Sequence, residues 1–95
     1  MNLDFKVIWH EDAVEDLKKL DKPAARRIIN KVKNHLRGNP KKMGKPLKGQ
    51  FRGLLRYRVG DYRVIFVLDY ENKELMILAV NYRKNIYCQQ EVRKK

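Results

Sequence analysis

Apolar and polar positions alternate along Leu3-Asp4-Phe5-Lys6-Val7-Ile8-Trp9, the pattern of a strand. The period then changes. Ala13, Leu17 and Leu20 recur at helical spacing with Val14 beside them, after an opening His10-Glu11-Asp12 whose acids suit the positive end of a helix dipole. Asp21-Lys22-Pro23 breaks this helix and starts another, since proline is tolerated in a first helical turn. Ala25, Ile28, Ile29, Val32 and Leu36 continue the second helix, and Gly38-Asn39-Pro40 stops it. Two helices joined by so short a break form an α-hairpin. Residues 39–53, punctuated by Pro40, Gly44, Pro46, Gly49 and Gly53, read as a loop. Period-two patterning returns at Leu54–Val59 and Tyr62–Asp69. Glu71-Asn72-Lys73 turns the chain, and Leu75–Tyr82 is the last strand. Residues 84–93 read as a short helix or an extended tail.

The expected fold is therefore α+β, in the order β-α-α-β-β-β. The α-hairpin packs on one face of a small antiparallel sheet. The first strand joins at an edge or beside the far strand, and the pattern does not choose. Residues 1–95 are expected to form one domain.

Gly60-Asp61 has the composition of a two-residue hairpin turn. A turn of that length sets Val59 opposite Tyr62, Arg58 opposite Arg63 and Arg56 opposite Ile65. Opposed residues share a face. Leu55, Tyr57, Val59, Tyr62, Val64 and Phe66 then face the helices, and Arg56, Arg58 and Arg63 lie together on the open side. Like charges directly opposite destabilise a sheet by roughly 0.2–1 kcal/mol. Unless Asp69, Glu71, Glu74 or Glu91 neutralises them, the cluster implies a function.

Charge sharpens this picture. The chain has 23 Lys+Arg against 11 Asp+Glu, a formal net charge of +12, which points to a polyanionic partner. From Lys22 to Gly60 there is no acid and there are 13 basic residues. Lys31, Lys33 and Arg37 fit an ordinary solvated helix face. The basic residues after Pro40 are interleaved with glycine, proline and aromatics and run on into the hairpin, which a solvated helix face does not explain. Apolar residues at 43% suit a globular chain rather than a disordered one. The single Cys88 rules out an internal disulfide framework and suits a reducing compartment. The N-terminal residues lack the long apolar run of a signal peptide, and no stretch approaches the ~20 apolar residues of a membrane span. A cytoplasmic protein with no membrane association is the expectation. No His/Cys/Asp/Glu cluster has metal-ligand spacing, so neither metal nor cofactor is expected. His10 and His35 are expected at the surface, Phe5 and Trp9 in the core. Cys88 has no histidine near it in sequence to make it a nucleophile.

Clustered arginines suit phosphate, because guanidinium binds its oxygens bidentately and stays charged. Tyr82-Arg83-Lys84-Asn85-Ile86-Tyr87 adds basic and aromatic residues just past the last strand. With KPLKGQFRGLLRYRVGDYRVIF and ILAVNYRKNIY, nearly the whole chain resembles the RelE/ParE toxin superfamily, in particular its RelE branch. The resemblance implies a toxin of a type II toxin–antitoxin system, an endoribonuclease that cuts mRNA in the ribosomal A site. It implies that Arg63 contacts the scissile phosphate and that Arg56 stabilises transition-state charge or orients the nucleophile. Arg83 and Tyr87 complete the catalytic set, Tyr87 by stacking on a base or assisting proton transfer. Lys45, Lys48, Arg52, Arg58, Tyr82 and Lys84 are the expected RNA-binding residues. The chain departs from the family at Asn81-Tyr82-Arg83, where Gly-His-Arg is frequent, and at Leu54, where one pattern has lysine. The general acid and base are thereby left open.

The implied chemistry is metal-independent attack of the ribose 2′-OH on the adjacent phosphorus, leaving a 2′,3′-cyclic phosphate and a 5′-OH. The implied partners are an acidic, RelB-like cognate antitoxin, mRNA and the ribosome, with DNA reached only through the antitoxin. The alternative is a gyrase-directed, ParE-like toxin or a non-catalytic basic binding module of the same fold.

Overall fold

The alternating residues before His10 form β1 (Lys6–Trp9) in the computed structural model, which describes residues 5–47, 49 and 53–82. His10 ends the strand and caps α1 (Glu11–Lys18), its Nδ1 accepting the Asp12 N–H at 3.0 Å. An orphan first-turn donor is thereby satisfied. Asp21 does the same for α2 (Lys22–Lys31), its Oδ1 accepting the Ala24 N–H at 2.9 Å, with Pro23 in the first turn as expected. The helix runs on without a break as a wider π turn (Val32–Leu36), closed by the Arg37 N–H on the Val32 carbonyl at 3.0 Å.

The segment expected to be only a loop contains more structure. Pro40 starts a single helical turn, α3 (Pro40–Met43), and Lys45–Pro46 forms a short strand, β2. The reason lies in what the segment passes over. A Cβ at Gly44 would sit 2.5 Å from Phe66 Cζ, so only glycine lets the backbone run this close to the core. The chain then lies along the hairpin edge, where the missing N–H of Pro46 is no handicap.

The hairpin strands β3 (Leu55–Val59) and β4 (Tyr62–Asp69) and the last strand β5 (Glu74–Tyr82) complete a five-stranded sheet of order β1-β5-β4-β3-β2. The β3–β4 register is the one the turn implies: Val59 opposite Tyr62, Arg58 opposite Arg63 and Arg56 opposite Ile65. Gly60 supplies a φ of 59°. β1 lies at an edge and beside the far strand, pairing parallel to β5 from Lys6 opposite Glu74 to Trp9 opposite Ile77. Beyond Trp9 that side of β5 has no strand neighbour among the described residues. There α1 takes over, and Asp16 Oδ2 accepts the Val80 N–H at 2.9 Å.

The helices cover one face of the sheet. Ala13, Ile28, Val32 and Leu36 pack on Val59, Val64, Phe66, Leu75, Ile77 and Val80, with Phe5 buried at the margin and Trp9 and Tyr57 half-buried against the cluster. The opposite face carries a smaller cluster in which Leu47 and Leu54 fold over Ile65 and Ala79. That side is therefore open only in part.

Ile77 and Val80 both reach the helix-side core because β5 bulges. Ile65 pairs with Ala79 while its neighbour Phe66 pairs with Ile77, leaving Leu78 without a partner. A bulge of this kind inverts which residues face which side from that point on.

Candidate functional site

The bulge and the hairpin together compose the sheet face turned away from the helices. In one row across the strands lie Lys45, Arg56, Ile65 and Ala79; in the next lie Arg58, Arg63 and Asn81. With strands ~4.8 Å apart and like-facing residues ~6.7 Å apart along each strand, the cations share a patch on the order of 10 Å wide. Arg58 is exposed and its Nε reaches the Gly60 carbonyl at 3.4 Å; Arg56 and Arg63 are half-buried. Lys45 is brought into the patch by β2, opposite Arg56.

Among the described residues, no carboxylate lies within ion-pair distance of Arg56, Arg58 or Arg63; ion pairs there lie elsewhere, as in His10–Asp12 and Lys18–Glu15. Asp69 and Glu74 oppose one another at the other end of the sheet. Asp69 is separated from Arg63 by ~20 Å of strand, well beyond a Debye length of ~8 Å at physiological salt. Asp69 is occupied locally: its Oδ2 accepts the Asn72 side-chain amide at 2.8 Å and its Oδ1 the Asn72 backbone N–H at 3.2 Å. These bonds hold its carboxyl below the ordinary value. Glu71 lies in the turn between β4 and β5, at that same far end of the sheet, and Glu91 is outside the described residues.

Tyr82 is not beside the arginines. The inversion at Leu78 sets it opposite Tyr62, on the helix side, with the two rings edge-to-face at 5.6 Å. Asn81 takes the position next to Arg63 instead, and is the one polar residue buried among those described, 7% exposed. Sequence patterning missed it. The available signal was the unbroken apolar run Leu75–Val80, which alternation on a one-sided strand does not produce. Lys48, Arg52, Arg83, Lys84, Tyr87 and Cys88 lie outside the described residues. Burial raises the Tyr57 phenol, but its side chain points to the helices and it faces no phosphate site.

A second basic surface lies on α2 and the π turn, where Arg26, Arg27, Asn30, Lys31, Asn34 and His35 line an open groove of about 470 Å³. Arg27 links it to the hairpin, its Nη1 lying 3.6 Å from the place a Gly60 Cβ would take. His10 and His35 are exposed, as expected. No helix among the described residues is long and apolar enough to cross a membrane.

Comparison with known proteins converges on one group. The sequence model of the family described as "ParE toxin of type II toxin-antitoxin system, parDE" matches residues 7–87. The chain is 33% identical over 75 residues to Toxin RelE of Mycobacterium tuberculosis, covering 79% of this chain and 77% of the relative. It is 30% identical over 83 residues to Toxin RelG of the same organism, covering 87% and 95%. In three dimensions it resembles a chain of the toxin–antitoxin complex RelBE2 from M. tuberculosis, with a TM-score of 0.81 at 29% identity over 84% of this chain and 99% of that one.

Proposed function

The chain belongs to the RelE/ParE superfamily of type II toxin–antitoxin toxins, and from that membership together with its arginine face we propose that it is a ribosome-dependent endoribonuclease that cuts mRNA in the A site. The observation that carries this reading is the juxtaposition of Arg56, Arg58 and Arg63 on one sheet face, without a carboxylate partner among the described residues.

In the proposed reaction the ribose 2′-oxygen forms a bond to the adjacent phosphorus as the bond from phosphorus to the 5′-oxygen breaks. The 2′ proton passes to a base, and the departing 5′-oxygen takes a proton. The products are a 2′,3′-cyclic phosphate and a 5′-OH. Arg63 holds the phosphate and Arg56 meets the charge that develops on its oxygens, an electrostatic contribution of the kind that dominates many catalysed reactions. Arg58, Lys45, Lys48, Arg52 and Lys84 grip flanking phosphates, and Arg83 and Tyr87 complete the catalytic set by their match to the family. Arginine, with a pKa above ~12, is a poor base. Catalysis therefore leans on the ribosome to align the 2′-oxygen with the phosphorus. Tyr82, packed on Tyr62 at the other face, is left out of the RNA contacts.

The partner that silences such a site is an acidic antitoxin, supported by the RelBE2 complex among the structural relatives. A chain of +12 binds an acidic, amphipathic segment with a fast, salt-sensitive association, while buried apolar contacts retain the complex at high salt.

The matching family's ParE description favours a second reading, a gyrase-directed toxin. One experiment separates the two. The protein is incubated with purified ribosomes carrying mRNA and, separately, with gyrase and supercoiled DNA. A-site cuts bearing 2′,3′-cyclic phosphate ends support the ribonuclease. DNA breaks that require gyrase, with mRNA intact, support the alternative.

A further inference from the structure

Asn81 is held in a place where a polar side chain is hard to explain by folding alone. It is 7% exposed and, among the described residues, its carboxamide has no hydrogen-bond partner. Buried amides are nearly always bonded, because water was given up to bury them. Leucine or valine would fill the position without that penalty, and the strand around it is otherwise apolar from Leu75 to Val80.

The position itself depends on an irregularity. Leu75 and Ile77 face the helices, and uninterrupted alternation would send residue 81 to the helices as well. The bulge at Leu78 sends it to the arginine face, directly opposite Arg63. Bulges are frequent where a strand must re-aim a side chain beside a site. Here the re-aimed group is an amide whose donor and acceptor meet no partner among the described residues.

We propose that Asn81 and Arg63 together form a subsite for a phosphodiester oxyanion, an inference that rests on the ribonuclease reading for its substrate. The Asn81 carbonyl accepts one guanidinium N–H of Arg63 and fixes the plane of the fork. The Asn81 NH₂ donates to an oxygen of the phosphate that the rest of the fork holds. Both halves of the amide, without a partner among the described residues, are then satisfied when RNA is bound. Arg58, opposite Arg63 on the other side, supplies further positive charge but no acceptor, so Asn81 is the group in this row able to orient the fork.

The test uses the whole chain. A short RNA carrying 2′-deoxyribose at the attacked position, and so resistant to cleavage, is titrated into isotope-labelled protein while the Asn81 side-chain NH₂ signals are followed by NMR. A saturable shift of those signals, lost in Arg63→Ala, is expected. In parallel, Asn81→Leu is expected to keep or raise the melting temperature while lowering the maximal rate of ribosomal mRNA cleavage about 10- to 100-fold, the scale of one hydrogen bond to a charged group. Asn81→Asp is expected to melt no lower, its carboxylate pairing with Arg63, yet to cleave still more slowly because it repels the phosphate. An Asn81→Leu protein with unchanged cleavage would overturn the proposal. So would an Asn81 amide that stays unmoved while backbone signals around Arg56 shift with RNA. If the wild type cuts no mRNA, the ribonuclease reading fails by itself, and the amide titration alone decides whether the subsite binds a phosphodiester.

Discussion

On its helix side the β3–β4 hairpin buries Val59, Val64 and Phe66; on its other side the same two strands hold Arg56, Arg58 and Arg63. The backbone is common to both, so the contrast isolates what side chains do. The helix side is closed by Ile28, Val32 and Leu36 and its residues satisfy one another. Among the described residues the arginine side is closed only by Leu47 and Leu54, and its cations repel. One face holds the sheet together and the other spends some of that stability. A small protein tolerates the second because the first is complete.

The sharpest way to break the comparison is through Phe66, which is fully buried and touches the path of the chain at Gly44. Phe66→Ala should lower unfolding free energy by about 3–5 kcal/mol in urea titration. Phe66→Leu, which retains most of the volume, should lose less and keep the protein folded for assay. Gly44→Ala follows in size, because the added methyl cannot coexist with the Phe66 ring in its present place. It should cost about 1–3 kcal/mol and weaken RNA binding through displaced Lys45. A loss of binding without a loss of stability would detach β2 from this account.

Substitutions on the other face should move stability the opposite way. Arg58→Thr removes one member of a directly opposed like-charged pair and places a good strand former there. Unfolding should become harder by about 0.2–1 kcal/mol at low salt, and the gain should shrink as salt screens the pair.

The smallest effects are in the pH profile. The Tyr57 phenol is raised by burial on the helix side. Because the neutral form is the one the fold favours, its contribution is present below the unfolded phenol pKa and is lost as pH rises through the folded value. Stability should therefore fall in alkali, and Tyr57→Phe should flatten that fall. Asp69 behaves in the opposite sense: its carboxyl is lowered, chiefly by the Asn72 side chain, so its small contribution is present above the unfolded carboxylate pKa and is lost as pH falls through the folded value. Carboxyl titration by NMR should show Asp69 moving upward in Asn72→Ala. An unmoved Asp69 would remove Asn72 as the cause.

The hairpin was legible in the sequence because Gly60-Asp61 sets its register, and register decides face. The two helices were legible from the spacing of their apolar residues, from the first-turn acids Glu11 and Asp12, and from Pro23 after the break at Asp21. β2 was not, because Lys45-Pro46 has no alternation and its pairing depends on Gly44 passing over Phe66, a contact between distant positions. The arginines themselves follow from the hairpin, but their neighbour does not. Asn81 and Tyr82 exchange faces at a bulge centred on Leu78, and one extra residue within an apolar run leaves no local mark. The expectation that Tyr82 lies with the RNA-binding set came from the family resemblance, which does not mark a bulge in this strand.

The central claim is that the arginine face is a phosphate site rather than a solvated surface. Its most direct test is Arg56→Ala/Arg63→Ala, assayed in one preparation for thermal unfolding and for mRNA cleavage on purified ribosomes. The melting temperature should be unchanged or slightly higher, and cleavage should fall by at least about 10²–10³-fold, the loss typical of removing a single oxyanion donor. A folded double variant that still cuts mRNA at the wild-type rate would contradict the assignment.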